Sequence, residues 1–327
     1  MRIRLAALLL SVAAAAPCLA FELQSHRGGR GLWPENSLTA FAGSLGLGVS
    51  VLELDTGITA DGAVVVHHDP ALNPEIARGR DGRWISAPGP LLRQLTLEQI
   101  QSYDIGRADP TSRYPARHPA LQPVDGERVP TLDAVFALAA RSGNGQVRFN
   151  IETKLSPARP DDTASPELFA ERLLAVIHTA GMEERVTIQS FDWRTLRLVQ
   201  QAAPGIPTVY LSAQQRFLDN IQAASPGASA WTAGIAAADH GGSVPRMVKA
   251  AGGRVWSPFY RDPTDDDIAT ARRLGLQVVV WTVNDRAEMA GLLDRGIDGI
   301  ITDRPDILRA LMAERGMAQP TATPVAH

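Results

Sequence analysis

The sequence predicts a (β/α)₈ barrel, an α/β fold, and three observations predict it. Short β-branched runs alternate with amphipathic stretches along most of the chain, which is the imprint of parallel strands joined by crossover helices. Helical stretches end in glycine just ahead of the next strand, at Gly181, Gly275 and Gly296, where a left-handed C-terminal cap is wanted. The length of 327 residues suits one barrel of about 250 residues that also carries an insertion.

The N-terminal segment is set apart from this fold. Arg2 and Arg4 precede an apolar run from Leu5 to Ala16 and then Cys18-Leu19-Ala20, a pattern that reads as a cleaved secretory signal over residues 1–20. The run is too short to span a bilayer. Lipid attachment at Cys18 is disfavoured because Pro17 stands where such a signal wants a small flexible residue. The expected protein is periplasmic or secreted, has no stable membrane anchor, and loses its one cysteine on cleavage.

Strands are expected at 23–26, 51–55, 63–67, 147–153, 186–189, 207–211, 254–256, 277–282 and 299–302. Helices are expected at 38–47, 166–180, 193–203, 264–274, 286–295 and 305–315. The strands are one too many for the barrel. Residues 63–67 follow the turn pair Asp61-Gly62, which folds them back as a hairpin on the preceding strand. Between residues 70 and 130 the rhythm breaks into a proline-rich, polar stretch with only 96–103 helical, the mark of an insertion on an early barrel loop. One catalytic domain is thus expected over 21–316, with a disordered tail over 317–327 containing Pro320 and Pro324.

The 32 Lys+Arg against 35 Asp+Glu give a net charge of -3, without the basic excess that nucleic-acid binding demands. Chemistry concentrates instead at strand ends, where a barrel keeps its active site. In Gln24-Ser25-His26-Arg27-Gly28-Gly29, a histidine and an arginine close a strand, and Arg27 favours an anionic ligand. In Glu53-Leu54-Asp55 two carboxylates spaced i, i+2 point to one side of a strand. Like charges so close want a cation, and carboxylate oxygens suit a hard divalent ion, Mg²⁺ or Ca²⁺. Asn150, Glu152 and Lys154 share a strand face by the same periodicity. Glu152 could complete a metal shell while Lys154 meets a phosphate, or the two could simply form an ion pair. Adjacent histidines in His67-His68-Asp69 face opposite ways, and His68, at the loop, is the one expected to enter the site. His26 and His68 would then supply the base and the acid for displacement at phosphorus.

These segments together resemble the glycerophosphodiester phosphodiesterase family. The resemblance is carried by His26-Arg27-Gly28, Pro34-Glu35-Asn36-Ser37, Glu53-Leu54-Asp55, Asp61-Gly62, His68-Asp69-Pro70 and Ile151-Glu152-Thr153-Lys154. It continues through Gln189-Ser190-Phe191-Asp192, Trp281-Thr282-Val283-Asn284 and Asp298-Gly299-Ile300-Ile301-Thr302-Asp303-Arg304-Pro305. It implies a barrel hydrolase that cleaves glycerophosphodiesters into glycerol 3-phosphate and an alcohol with two histidines and one divalent metal ion. Carried over by residue, the histidines are His26 and His68, the metal carboxylates Glu53, Asp55 and Glu152, and the phosphate contacts Arg27 and Lys154. Ser37 stands where the family often has Thr. Phe191 and Trp281 would wall the glycerol end or belong to the core. Three other readings remain: a lysophospholipase D or phospholipase C activity on a lipid, a non-catalytic periplasmic phosphodiester-binding protein, and a zinc hydrolase. The polar 70–130 stretch weighs against the first, the presence of both histidines against the second, and the absence of a helical His-spacing motif against the third.

Overall fold

A computed structural model describes residues 21–327, and the expected signal at 1–20 lies outside the described residues. The strands are β1 (Glu22–Ser25), β2 (Val51–Ile58), β3 (Val64–Val66), β4 (Arg148–Thr153), β5 (Val186–Ser190), β6 (Thr208–Ser212), β7 (Gln214–Gln215), β8 (Leu218–Asp219), β9 (Val255–Pro258), β10 (Gln277–Val280) and β11 (Gly299–Thr302). The helices are α1 (Leu38–Leu47), α2 (Leu97–Ile100), α3 (Tyr114–Arg117), α4 (Leu132–Arg141), α5 (Pro166–Thr179), α6 (Trp193–Ala202), α7 (Val244–Ala250), α8 (Asp265–Arg273), α9 (Arg286–Asp294) and α10 (Pro305–Glu314). No helix among the described residues is long and apolar enough to cross a membrane.

Eight strands run parallel in the order β1-β11-β10-β9-β6-β5-β4-β2, and β1 pairs with β2 to close the barrel. The surplus strand is β3, which returns antiparallel on β2 with Thr56 opposite Val66. Helices begin where a short polar side chain can accept an orphan N–H. Ser37 takes that of Ala40, Thr131 that of Ala134, and Thr264 forms a reciprocal box with Asp267. Gly181, Gly275 and Gly296, the expected stops, all take positive φ.

Period-two alternation sorts each strand. Leu52, Leu54, Phe149 and Ile151 belong to the main core beneath the helices, so Glu53, Asp55, Asn150 and Glu152 turn to the barrel axis. Half of the interior is therefore polar. Asn150 Nδ2 donates to Gln24 Oε1 (3.0 Å) and Gln189 Oε1 (2.9 Å), and Gln189 Nε2 donates to Glu53 Oε1 (2.6 Å). The other half is a small apolar cluster of Val209, Val255, Val279 and Ile301 with Trp281 against it.

Four elements escaped the sequence reading, namely α3, α4, α7 and the β7-β8 ribbon, and the expected helix at 96–103 is the single turn α2. The 70–130 stretch is an organised lobe with its own core of Val65, Leu72, Ala77, Leu92, Ile100, Ile105 and Val129. It leaves after β3 and returns where Val66 N–H meets Pro130 O at 2.8 Å, beside the C-terminal end of β2. The expectation of a disordered 317–327 tail is corrected. The tail runs extended along α1, with Thr323 N–H on Leu45 O at 2.8 Å, Arg309 Nη1 on Pro320 O at 2.9 Å, and Val325 packed on the core. Its prolines disfavour helix but not this extended path.

Candidate active site

The C-terminal ends of β1, β2, β4, β5, β10 and β11 bring the candidate residues together around one cavity of about 150 Å³. It is lined by His26, Arg27, Arg30, Glu53, His68, Glu152, Lys154, Gln189, Phe191, Leu211, Trp281, Thr282 and Ile301. The chain after β1 makes this possible by a sharp turn. Arg27 itself takes φ 51°, and Gly28 follows at φ 75°, where a Cβ would lie 2.8 Å from that of Ala40. That turn aims the Arg27 N–H at Glu53 Oε2 (2.8 Å) and its guanidinium at Glu35 Oε1 (2.8 Å).

Glu53, Asp55 and Glu152 are all buried, and each offers an oxygen within 4.8 Å of the others. Asn36 Nδ2 donates to Asp55 Oδ2 at 3.0 Å, yet Asp55 Oδ1 has no hydrogen-bond partner among the described residues. Lys154 Nζ lies 2.8 Å from Glu152 Oε1 and 3.7 Å from Asp55 Oδ1. Burial, reinforced by Asp55, raises the Glu53 carboxyl well above its ordinary range. Burial also lifts Glu152 to about 7 against the opposing pull of Lys154. Burial works the same way on Asp55, but His68, Arg27 and Lys154 outweigh it and hold that carboxyl well down. An orphaned buried oxygen inside a ring of three carboxylates costs free energy as it stands. These donors fit a hard divalent cation, which would satisfy the lone oxygen and the excess negative charge together.

The two histidines are built alike. His26 Nδ1–H donates to Asp303 Oδ1 (2.6 Å) and His68 Nδ1–H donates to Asp69 Oδ1 (2.8 Å). This tautomer leaves Nε2 of each ring as the basic nitrogen. Burial, with Arg30 helping at His26 and Arg27 at His68, lowers both imidazoles to about 4, so both rings are neutral at pH 7. His67 is buried, with its ring nitrogen on Ala71 O at 3.1 Å, and lines no cavity of the site.

Phe191 and Trp281 meet edge to face with ring centroids 5.2 Å apart, and Lys154 Nζ lies 6.0 Å from the Phe191 ring. They line the same cavity as Glu53 and Glu152. The nine candidate site residues, His26, Arg27, Glu53, Asp55, His68, Glu152, Lys154, Phe191 and Trp281, therefore lie together, and the ion pair between Glu152 and Lys154 exists among them.

Sequence reasoning gave no role to several residues that the structure brings in. Asp303 accepts from His26, Arg30 Nε (2.8 Å) and Asn284 Nδ2 (2.8 Å). Burial favours its neutral form, but Arg30 and His26 outweigh burial and keep the carboxyl far below its usual range. Glu35 accepts from Arg27 and from Tyr114 Oη at 2.5 Å. Burial opposes its charge, and Arg27 and Arg30 still hold it at about 2. Asp303 stood at a strand end and could have been found by the rule that located His26. Tyr114 comes from the 70–130 lobe, and no local pattern marked it.

Comparison with known proteins agrees with this geometry. The family model for the Glycerophosphoryl diester phosphodiesterase family matches residues 26–307. A glycerophosphodiester phosphodiesterase of Caldanaerobacter subterraneus subsp. tengcongensis is 28% identical over 296 residues, covering 89% of this chain and 98% of the relative. Among solved structures, a Silicibacter pomeroyi protein provisionally described as a glycerophosphoryl diester phosphodiesterase superposes with a TM-score of 0.81 at 32% identity. That match covers 92% of this chain and 96% of the other. An Oleispira antarctica phosphodiesterase, solved in complex with the product sn-glycerol-3-phosphate, shares the fold with a TM-score of 0.64 at 18% identity, covering 89% of this chain and 96% of that one.

Proposed function

Because the chain belongs to the Glycerophosphoryl diester phosphodiesterase family, we propose that it hydrolyses glycerophosphodiesters to glycerol 3-phosphate and an alcohol, with one divalent ion and two histidines. The observation that carries this reading is the carboxylate ring of Glu53, Asp55 and Glu152, with its orphaned oxygen, of which Glu53 and Glu152 line one cavity with His26 and His68.

Bound by those three carboxylates, Ca²⁺ or Mg²⁺ would polarise a non-bridging phosphoryl oxygen as a Lewis acid. Arg27 and Lys154 line the same cavity and share the negative charge that grows on phosphorus-bound oxygens. Neither cation can drift, since Arg27 is held by Glu35 and Lys154 by Glu152. One neutral imidazole removes the proton from the attacking hydroxyl through Nε2. The other delivers a proton to the departing alkoxide. The resting rings are both neutral, so the donor ring takes up its proton only when the anionic diester arrives beside it. Asp303 keeps the His26 ring in its tautomer and stabilises the imidazolium formed there, and Asp69 serves His68 in the same way. Phe191 and Trp281 face the carbon skeleton of the glycerol and exclude water from it.

Export to the periplasm or medium forms part of the proposal and is supported by the charged, apolar and small-residue order of residues 1–20. The test of function is release of glycerol 3-phosphate from a set of glycerophosphodiesters by the purified protein. No release from any of them would refute the reading.

A further inference from the structure

A cavity larger than the catalytic one lies beside it. It measures about 480 Å³, opens between the 70–130 lobe and the barrel, and shares Arg27, Arg30 and His68 with the catalytic cavity. From the lobe it receives Asn73, Glu75, Tyr114, Arg117 and His118. None of these five belongs to the proposed catalytic machinery.

We infer that this cavity seats the leaving alcohol of the diester and selects a neutral polyhydroxyl headgroup over a quaternary ammonium one. The inference rests on the phosphodiesterase reading above. A phosphodiester has two arms on one phosphorus atom. With the phosphorus at the carboxylate ring, the 150 Å³ space against Phe191 and Trp281 takes the small glycerol arm, and the 480 Å³ space across His68 takes the other.

The lining chemistry names the class. Arg117 is ion-paired with Glu75, Arg30 with Asp303 at 2.8 Å and Arg27 with Glu35 at 2.8 Å, and Asp69 is hydrogen-bonded to His68 at 2.8 Å, so every charged side chain lining the cavity already has a partner. Its remaining capacity is a mixture of donors and acceptors. Asn73 uses Oδ1 to accept the Glu75 N–H at 2.9 Å and keeps its amide N–H groups. The Glu75 contact with Arg117 engages Oε2 and Nη2, which leaves Oε1 as acceptor and the rest of the guanidinium fork as donor. Adjacent donors and acceptors on planar side chains match vicinal hydroxyls, each of which both gives and takes a hydrogen bond. A trimethylammonium group wants an open aromatic face instead. Tyr114 cannot give one, because the Arg117 guanidinium lies 5.5 Å from its ring, the His118 ring lies at 4.6 Å, and its hydroxyl is committed to Glu35.

The test compares kcat/KM for glycerophosphoinositol and glycerophosphoglycerol with that for glycerophosphocholine, in wild type and in Glu75→Ala, Asn73→Ala and Arg117→Ala. Arg117 and Glu75 stand at the cavity rim with side chains 55% and 33% exposed, and their removal leaves the barrel intact. Wild type should favour the polyol esters by about tenfold or more, and each variant should lose about tenfold on those esters, one hydrogen bond's worth, while changing less than about threefold on the choline ester. A wild-type preference for the choline ester, or variants that slow all three esters equally, would overturn the headgroup assignment while leaving the phosphodiesterase reading in place. Absence of turnover on every ester would overturn both.

Discussion

Replacing Asp303 with Asn probes how the site holds its base. Oδ1 of Asp303 receives two donors, His26 Nδ1–H at 2.6 Å and Arg30 Nε–H at 2.8 Å, while Oδ2 receives Asn284 Nδ2 at 2.8 Å. An amide can keep oxygen at only one of these positions. With oxygen kept toward His26 and Arg30, the new NH₂ faces the Asn284 NH₂. Asn284 cannot turn over, because its Oδ1 already accepts from Asp303 N–H (2.9 Å) and Thr302 Oγ1 (3.2 Å). With the amide reversed, NH₂ faces Arg30, and His26 must switch tautomer so that Nε2 carries the proton and can no longer accept one. Either way the negative charge that steadies the protonated ring is gone. A buried charge-assisted hydrogen bond is worth about 1.5–3 kcal/mol, roughly 10- to 100-fold in rate, and the wrong tautomer in a comparable His-Asp pair costs up to about 10⁴-fold. Asp303→Asn should therefore lower kcat by about 10² to 10⁴-fold, with the metal concentration for half-activity nearly unchanged because Asp303 is not among the carboxylates of the ring. Steady-state release of glycerol 3-phosphate at several metal concentrations, beside a thermal melt to confirm folding, reads this directly. A folded variant within about threefold of wild-type kcat would refute the tautomer argument.

The other predictions concern the remaining histidines and the carboxylate ring. His26→Ala and His68→Ala should each lower turnover by about 10²-fold or more, whereas His67→Ala should keep its turnover and lose about 2 kcal/mol of stability through the orphaned Ala71 carbonyl; an inactive but folded His67→Ala would reverse the assignment. Glu152→Gln should raise the metal concentration needed for half-activity, and excess metal should restore part of the rate. Lys154→Ala should slow turnover at saturating metal without weakening metal binding, since it removes a cation from beside Glu152 and Asp55; identical metal titrations for the two variants would reduce the pair to a structural ion bridge. Metal affinity should also climb with pH. Glu152 is lifted to about 7 and Glu53 is raised as well, so at low pH an incoming ion must displace their protons, and affinity should rise by about tenfold per unit or more between pH 5.5 and 7. Calorimetric titration that finds the affinity flat across this window would contradict the burial of the ring's charge.

The barrel was legible because its signal is local. Period-two alternation in 51–55 and 147–153, with glycine after helices at Gly181, Gly275 and Gly296, needs no knowledge of distant residues. Alternation also puts Glu53 with Asp55 on one strand face, and Glu152 with Asn150 and Lys154 on one face of another strand. The choice of His68 over His67 rested on the same rule, and His67 does turn away to Ala71 O. What stayed hidden depends on contacts between segments far apart in the chain. Tyr114 reaches Glu35 across 79 residues and Asp303 reaches His26 across 277, and no pattern within either segment announces such a meeting. The 317–327 tail was misread for a related reason. Its composition is that of a disordered end, and only the carbonyls of α1 and the Arg309 side chain give it somewhere to lie. The helix α4 was missed because it follows directly on the polar lobe, where Thr131 provides the cap.

The central claim is metal-dependent cleavage of a glycerophosphodiester at the ring of Glu53, Asp55 and Glu152. Phosphorus NMR of glycerophosphoglycerol incubated with the purified protein tests it most directly, first after exhaustive chelation and then after adding Ca²⁺ or Mg²⁺. The account predicts an unchanged diester signal in chelator, and its conversion to the glycerol 3-phosphate signal once either ion is restored. Full conversion in chelator, or a persistent diester with both ions present, would contradict it.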